Sequence, residues 1–200
     1  MGIFIPNTSF STPVLFLIFN RPETTQQVFS AIKKAKPPRL YIAADGPRSD
    51  YPNEAESCEI ARSIATNVDW ECEVKTLFRE TNLGCGLAVT SAIDWFFEQE
   101  SEGIILEDDT KPTEQFFEFI SFGLNKYRND ENIGSICGYN PTSPNDDSND
   151  TIIISNYPSL WGWGTWKNVW EKYSLKTDFH YLYKFTTTYS HIKHLRYTLY

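Results

Sequence analysis

Three consecutive acidic residues, Glu107, Asp108 and Asp109, follow an apolar run at residues 103–106. Adjacent carboxylates repel one another unless a positive charge compensates them. A divalent cation could supply that charge, since carboxylate oxygens are ligands that Mg²⁺ and Mn²⁺ prefer. The alternative is an acidic surface turn that is solvated or paired with a basic side chain such as Arg79.

Polar and charged residues also follow three earlier apolar runs, at residues 14–19, 40–44 and 74–78. The carboxyl ends of parallel strands meet at one edge of a sheet, so these residues would share a rim with the acidic triplet. Taken singly, each is equally well explained as an ordinary loop residue. The residues concerned are Asn20, Arg21, Asp45, Arg48, Arg79 and Asn82.

Glycines interrupt the chain at two further places. Gly84 and Gly86 could let a helix begin close to an anion, or could form an ordinary turn between a strand and a helix. Trp161, Gly162 and Trp163 could form an aromatic platform for a sugar or a base. The alternative for these tryptophans is a packing seam under the sheet, and Trp166 is expected to pack inward from a helix.

The elements that position these residues alternate regularly along the chain. Apolar runs at 14–19, 40–44, 74–78, 103–106 and 133–137 predict buried strands. Between them, apolar residues at helical spacing predict helices at 22–35, 54–67, 86–99 and 114–127. This alternation predicts an α/β protein, a three-layer α/β/α sandwich with a mostly parallel sheet whose strands are covered on both faces.

Later parts of the chain are less regular. The polar tract at residues 141–150 predicts a mobile loop before a further strand at 151–155. The length of 200 residues predicts a single domain spanning 1–200. The segment at 180–200 could touch a membrane surface, although a packed element is the preferred interpretation.

Composition excludes several classes of protein. A net charge of −8 argues against a nucleic-acid partner, which would require a basic surface. Four cysteines without a paired pattern indicate reduced thiols and a cytoplasmic location. The longest apolar run is far shorter than the roughly 20 residues of a membrane span. We therefore expect a cytoplasmic protein, with peripheral contact to the inner membrane left open.

Five motifs occur in an order that resembles the GT-A nucleotide-sugar glycosyltransferases, namely PVLFLIFNRP, YIAADGPR, FRETNLG, IILEDD and WGWGTW. The resemblance covers about residues 13–175. It is to the bacterial family 2-like, or hemolytic-protein-like, sugar transferases, and more distantly to the N-acetylglucosaminyltransferase that initiates complex N-glycans. It implies a GT-A fold and a nucleotide-sugar donor.

The resemblance also implies roles for individual residues. Asp109 would bind the Mn²⁺ or Mg²⁺ that bridges the donor diphosphate, while Glu107 and Asp108 would face the donor sugar and the ribose. Asp45 would meet the nucleobase. The nucleotide would lie near the remaining donor-site residues, Asn20, Arg21, Arg79 and Asn82. Either arginine could instead hold the acidic triplet in place. The loop where donor sugar and acceptor meet would contain Trp161, Gly162 and Trp163.

An inverting transfer, which the resemblance implies, needs a general base for the acceptor hydroxyl. The resemblance places this base after the tryptophan loop, where Glu171 and Asp178 are the acids that follow Trp166. Each could equally be a surface acid. The chain also ends, at Tyr200, earlier than the resemblance leads us to expect. A truncated chain whose base lies beyond Tyr200, or a degenerate protein, is therefore a further alternative.

The sequence as a whole predicts a metal-dependent glycosyltransferase. Its donor would be a nucleoside-diphosphate sugar, with UDP preferred, and its acceptor a hydroxyl of a bacterial surface glycan or a lipid-linked precursor. Two alternatives remain open. One is a nucleotidyltransferase that makes an activated sugar, and the other is a non-catalytic module that binds nucleotide sugars or carbohydrates.

Overall fold

A computed structural model of the chain describes residues 10–139, 154–156, 158–172 and 197–199. Strands and helices alternate through most of this part of the chain. In order they are β1 (Val14–Ile18), α1 (Pro22–Ala35), β2 (Arg39–Ala44), α2 (Glu54–Ala65), β3 (Glu73–Phe78), α3 (Cys85–Phe97), β4 (Glu102–Glu107), α4 (Glu114–Tyr127), β5 (Ile133–Cys137), β6 (Ile154–Ser155), β7 (Trp163–Trp166), α5 (Lys167–Trp170) and β8 (Tyr197–Leu199).

The strands form one mixed sheet in the order β3-β2-β1-β4-β7-β5-β8-β6. β1 pairs in parallel with β2 and with β4, and β2 pairs in parallel with β3. β7 lies antiparallel between β4 and β5. The carboxyl ends of β1 to β4 therefore lie along one edge of the sheet, as the sequence predicts.

Helices cover both faces of the sheet, which confirms the predicted α/β/α sandwich. Alternate side chains of β1 enter two separate cores, because successive residues of a strand point to opposite faces. Val14 and Phe16 join a core with α1, α2 and α4, whereas Leu15 and Leu17 join a core with α3.

Local sequence explains the best-predicted helix. α1 has Pro22 at its first turn, where a missing N–H costs nothing, and Lys33 and Lys34 in its last turn, next to the negative end of the helix dipole. It ends at Lys36, which adopts a left-handed conformation with φ of 51°. The bounds of α1 and α4 are those predicted.

One predicted feature of the strands is wrong. β3 is not covered on both faces, since Val74 is 37% and Phe78 is 36% exposed. β3 is the terminal strand of the sheet, and the nearby helices pack mainly on its inner neighbours: α2 contacts β2, and α3 contacts β1 and β2. The apolar run at 74–78 therefore belongs to an edge strand.

The sequence interpretation missed β7. Trp163 to Trp166 form a buried strand rather than a loop followed by a helix, and the indole N–H of Trp166 donates to the carbonyl of Leu124 at 3.2 Å. Gly164 makes this position possible, because a Cβ there would meet the side chain of Ile120 on α4. This close contact between Gly164 and Ile120 joins residues far apart in the sequence. The pattern of apolar residues within a four-residue segment does not reveal it.

Some predictions fall outside the described residues. These include the loop at 141–150, Asp178 and nearly all of the segment at 180–200, Tyr200 among it. Of the strand predicted at 151–155, the structure describes Ile154–Ser155. Among the helices that the structure describes, none has the length and apolar character needed to cross a membrane.

Candidate functional site

A cavity of about 310 Å³ lies at the carboxyl edge of the parallel strands, between β1, β2, β4 and the start of α3. Asn20 lies between two residues that line it, Phe19 and Arg21, and Asp109 follows a third, Asp108. Six residues that the sequence predicted for the donor site line the cavity, namely Arg21, Asp45, Arg79, Asn82, Glu107 and Asp108.

The acidic triplet forms a turn at the end of β4. The Thr110 N–H donates to the Glu107 carbonyl at 3.1 Å and closes this turn. The side chain of Asp108 is only 7% exposed, and it accepts a hydrogen bond from the Phe19 N–H at 3.2 Å. The side chain of Asp109 is 41% exposed, so a ligand can reach it. Asp108 thus ties β4 to β1, while Asp109 faces solvent.

Arg21 supplies a positive charge to this acidic turn. Its Nη1 lies 2.7 Å from Oδ2 of Asp109 and 3.4 Å from Oδ1 of Asp108. These contacts raise the pKa of the guanidinium, chiefly through the hydrogen bond to Asp109. Burial raises the pKa of Glu107, and the charges of Asp109 and Asp108 raise it further. Burial also raises the pKa of Asp108, against the effect of Arg21.

The turn therefore carries three carboxylates beside one guanidinium, and this excess of negative charge fits a cation. Within the described ranges, no three Cys, His, Asp or Glu side chains are grouped as a metal cage. Mg²⁺ commonly needs no such cage, since one or two carboxylates, water and substrate phosphates complete its coordination. Asp109 meets that requirement because it is acidic, accessible and next to the cavity. A carboxylate of this kind fits Mg²⁺ or Mn²⁺ whose remaining ligands are water and phosphate oxygens.

Asp45 and Asn82 line the cavity, but both use their polar atoms on the backbone. The carboxylate of Asp45 accepts hydrogen bonds from the N–H groups of Gly46, Leu83 and Gly84 at 2.9–3.1 Å. The amide of Asn82 donates to the Gly46 carbonyl at 2.8 Å and accepts from the Gly84 N–H at 3.1 Å. These contacts join the end of β2 to the residues that precede α3.

The start of α3 forms one wall of the cavity. Gly84 precedes the helix with φ of +79°, a conformation that suits glycine, and no side chain of the described residues makes a capping hydrogen bond to the helix. A Cβ at Gly84 or Gly86 would meet no atom of the described residues within 4 Å. Arg79 also lines the cavity and donates to the Ser91 hydroxyl at 2.7 Å.

The sequence interpretation missed a buried carboxylate, Glu54, at the start of α2. Its side chain is 4% exposed and accepts hydrogen bonds from the backbone N–H and the guanidinium of Arg48, and from Asn20 at 2.8 Å. Arg48 lines the cavity and lies 3.6 Å from the ring centroid of Tyr51. An acid in the first turn of a helix is ordinarily exposed, so only the preceding Arg48 could have signalled this contact.

The tryptophan segment is divided between surface and core. Trp161 is 51% exposed, and its ring lies 5.5 Å from that of Tyr139. Gly162 has φ of +75°, and a Cβ there would lie 3.0 Å from Cγ2 of Thr110, which follows the acidic turn. Trp163 is 7% exposed and packs in β7, so its predicted place in a sugar-binding loop is wrong.

Glu171 does not join the cavity. It follows α5, and the end of β7 that precedes α5 is paired with Glu102 at the start of β4. Glu107, which lines the cavity, lies at the other end of β4. It is about 16 Å from Glu102, at 3.3 Å per residue. Glu171 instead borders a second cavity with Arg128. The expectation that Glu171 is a general base is therefore corrected.

The other two expectations about the general base concern the end of the chain. Asp178 and Tyr200 both lie outside the described residues, which in this region comprise 158–172 and 197–199. A role for Asp178 therefore stays a prediction, and so does the alternative of a base beyond Tyr200.

Comparison with known proteins assigns no family to the chain. No family model matches it, and no curated protein matches it. Among solved structures, it is similar to the 4-diphosphocytidyl-2C-methyl-D-erythritolsynthase from Anaerococcus prevotii, with 13% identity and a TM-score of 0.47 over 88% of this chain and 84% of that chain. A likeness at that score carries no argument about function.

Proposed function

We propose that the protein is a metal-dependent glycosyltransferase that takes a nucleoside-diphosphate sugar, with UDP preferred, as its donor. The acceptor is a hydroxyl of a glycan or of a lipid-linked precursor, and the transfer is inverting. The observation that carries the proposal is the acidic turn of Glu107, Asp108 and Asp109, which holds three carboxylates beside one guanidinium at the mouth of a cavity. Such a surplus of negative charge favours a cation and, through it, an anionic substrate.

The residues around the cavity have distinct roles in this proposal. Asp109 would hold the Mg²⁺ or Mn²⁺, which would supply positive charge toward the diphosphate leaving group. Arg79 and Arg21 orient the donor, since guanidinium groups bind phosphate oxygens well. Glu107 and Asp108 face the donor sugar and the ribose, where a buried carboxylate can accept hydrogen bonds from hydroxyl groups.

The acceptor side is formed by exposed aromatic groups. Trp161 stands next to Gly162, which packs against Thr110 directly after the acidic turn. An exposed indole is a good surface for the apolar face of a sugar, so Trp161 is the proposed contact for the acceptor. Asp178 remains the candidate general base within the sequence.

Nucleotidyl transfer is the second candidate. It is favoured by the guanidinium groups that line the cavity, of which Arg79 pairs with a neutral hydroxyl and so keeps its charge for a phosphate. The two reactions differ in their products. A glycosyltransferase releases nucleoside diphosphate from a nucleotide sugar, whereas a nucleotidyltransferase releases pyrophosphate from a nucleoside triphosphate. Assaying both products separates them, and the absence of both with retained binding would indicate a non-catalytic binding module.

The first test is thermal melting with UDP, GDP and dTDP, each with Mn²⁺ and with EDTA. Ligand at about 100 times Kd should add roughly 2.7 kcal/mol, or several degrees for a domain of this size. We expect a Mn²⁺-dependent rise with one nucleotide, and we expect Asp109→Asn to abolish it.

A matched control is Glu118→Gln, which removes an exposed acid from α4, away from the cavity. This variant should respond to nucleotide and Mn²⁺ as the wild type does. If the wild type shows no Mn²⁺-dependent rise with any nucleotide, or if Asp109→Asn responds fully, the proposed donor site is wrong.

A further inference from the structure

Asp45 has a carboxylate that is almost fully occupied by the protein itself. It follows β2 directly and is 9% exposed. Oδ1 accepts from the N–H groups of Gly46 at 2.9 Å and Leu83 at 3.0 Å. Oδ2 accepts from the N–H groups of Leu83 and Gly84, both at 3.1 Å.

This occupation limits what else Asp45 can bind. A carboxylate offers about four lone-pair sites. Three backbone N–H groups make four contacts with them, since the Leu83 N–H is shared between both oxygens. Turning the carboxylate toward a nucleobase would take this acceptor from the Leu83 N–H and one of two acceptors from the Gly84 N–H, which also donates to Asn82. Giving up these hydrogen bonds costs free energy. The geometry therefore opposes the nucleobase contact that the resemblance implies.

Two further contacts hold the same segment in place. Gly46 packs so closely on the next loop that a Cβ would lie 2.5 Å from the backbone C and N of Thr81. One Nη of Arg62 donates to the carbonyls of Asp45 at 3.2 Å and Arg79 at 2.6 Å, which joins the ends of β2 and β3. Asp45 is thus the centre of a rigid junction between β2 and the residues that precede α3.

The junction determines the shape of the cavity. Gly84 and Ala88, at the start of α3, line the cavity, and Gly84 is one of the residues that Asp45 holds. If the carboxylate is lost, the segment that carries Gly84 is free to shift, and the cavity wall shifts with it.

We propose that Asp45 is a positioning residue that holds the amides of Leu83 and Gly84, and with them the first turn of α3, and that it does not read the nucleobase. The proposal rests on the proposed function in so far as the cavity takes a nucleotide. Selection among nucleobases then falls to side chains other than Asp45.

The local part of the proposal is tested by amide hydrogen exchange of the full chain, measured by mass spectrometry. Asp45→Asn replaces one acceptor oxygen with an NH₂ group that faces the same amides. We expect residues 79–88 to exchange about tenfold faster in this variant, with β1 and β4 as protected as in the wild type. The control Asp50→Asn, an exposed acid of the same loop, should exchange as the wild type does. Unchanged exchange at 79–88 in Asp45→Asn would overturn the proposal.

The functional part is tested by the affinities of UDP and CDP in the presence of Mn²⁺, well below the melting temperature. We expect Asp45→Asn to weaken both nucleotides by the same factor, about tenfold, with their ratio unchanged. Unchanged affinities would show a merely structural contact, and an altered ratio would show that Asp45 reads the base. Either result would overturn the proposal.

The experiment still gives a result if Asp45→Asn does not fold or if the wild type binds no nucleotide. If Asp45→Asn does not fold, Asp45→Glu takes its place, because it keeps both acceptor oxygens and displaces them by one methylene. The same two measurements then judge it. If the wild type binds neither nucleotide, the proposed function fails, and the exchange of residues 79–88 alone decides whether Asp45 positions α3.

Discussion

Arginine side chains balance the buried acids at the carboxyl edge of the sheet. Arg21 lies against the acidic turn, and Arg48 lies against Glu54. The two pairs differ in how much negative charge the arginine leaves uncompensated. Glu54 is matched by one guanidinium and one amide, whereas the acidic turn retains more negative charge than Arg21 supplies. A cation is therefore expected at the turn and not at Glu54.

Glu54 should make the stability of the fold depend on pH. Its contacts with Arg48 lower the pKa of the carboxyl from 4.5 to about 2. Because the pKa is lower in the folded state, the ionised carboxylate stabilises the protein above pH 4.5, and this contribution is lost as the pH falls through about 2. We expect Glu54→Gln to melt below the wild type at neutral pH, and the difference to shrink as the pH falls through that range.

Thermal melts of the two proteins across this range check the expectation. Glu118→Gln, which alters an exposed acid on α4, should show no comparable loss at neutral pH. A melting difference between the wild type and Glu54→Gln that stays constant down to about pH 2 would contradict the assigned pKa.

At the scale of elements, the loops that follow the strands are held to one another rather than left to solvent. Asp45 reaches the amides before α3, and Asn20, after β1, reaches Glu54 on α2. These contacts join loops that are far apart in the sequence. The cavity is consequently lined by a preorganised backbone, which favours a ligand that must be held in one orientation.

Gly46 is expected to be the glycine of this region that tolerates substitution least. In Gly46→Ala, the new Cβ would lie 2.5 Å from backbone atoms of Thr81, and backbone cannot move away as a side chain tip can. We expect a loss of about 1–3 kcal/mol in the free energy of unfolding, measured by urea denaturation.

Gly86→Ala is the matched control for this substitution. Within the part of the chain that the structure describes, a Cβ at Gly86 would meet nothing within 4 Å, and alanine suits a helix better than glycine by about 0.5–1 kcal/mol. Gly86→Ala should therefore leave the protein as stable as the wild type or slightly more so. Equal destabilisation by both substitutions would argue against the close contact at Gly46.

At the scale of the molecule, one sheet separates two hydrophobic cores. Ile120 on α4 belongs to the core on one face, and Phe96 on α3 belongs to the core on the other. Both side chains are fully buried. The strands contribute to both cores at once, so damage to either face should weaken the same folded unit.

We therefore expect Ile120→Ala and Phe96→Ala each to lower stability by about 2–5 kcal/mol in a single transition. In urea, the midpoint should fall while the slope of the transition stays at the wild-type value. Fluorescence and circular dichroism should report the same midpoint. A second transition in either variant would show that the predicted single domain consists of two units that unfold separately.

Local patterns in the sequence determined much of the fold. The spacing of apolar residues predicted α1, α4 and β5 at their observed bounds, because each is a continuous segment whose period reveals its buried face. The acidic turn was also predictable, since Glu107, Asp108 and Asp109 follow directly on a buried strand. The edge position of β3 and the insertion of β7 were not, because both depend on which strands pair.

The tertiary structure alone decided how the site residues are used. Asp45 was predictable as a residue of the rim, but its partners Leu83 and Gly84 lie 38 and 39 residues away. Glu54 likewise became part of the rim through Asn20, which is 34 residues distant. Chemistry and periodicity are local properties that a sequence displays directly. Hydrogen bonds between distant loops exist only once the sheet has brought those loops together.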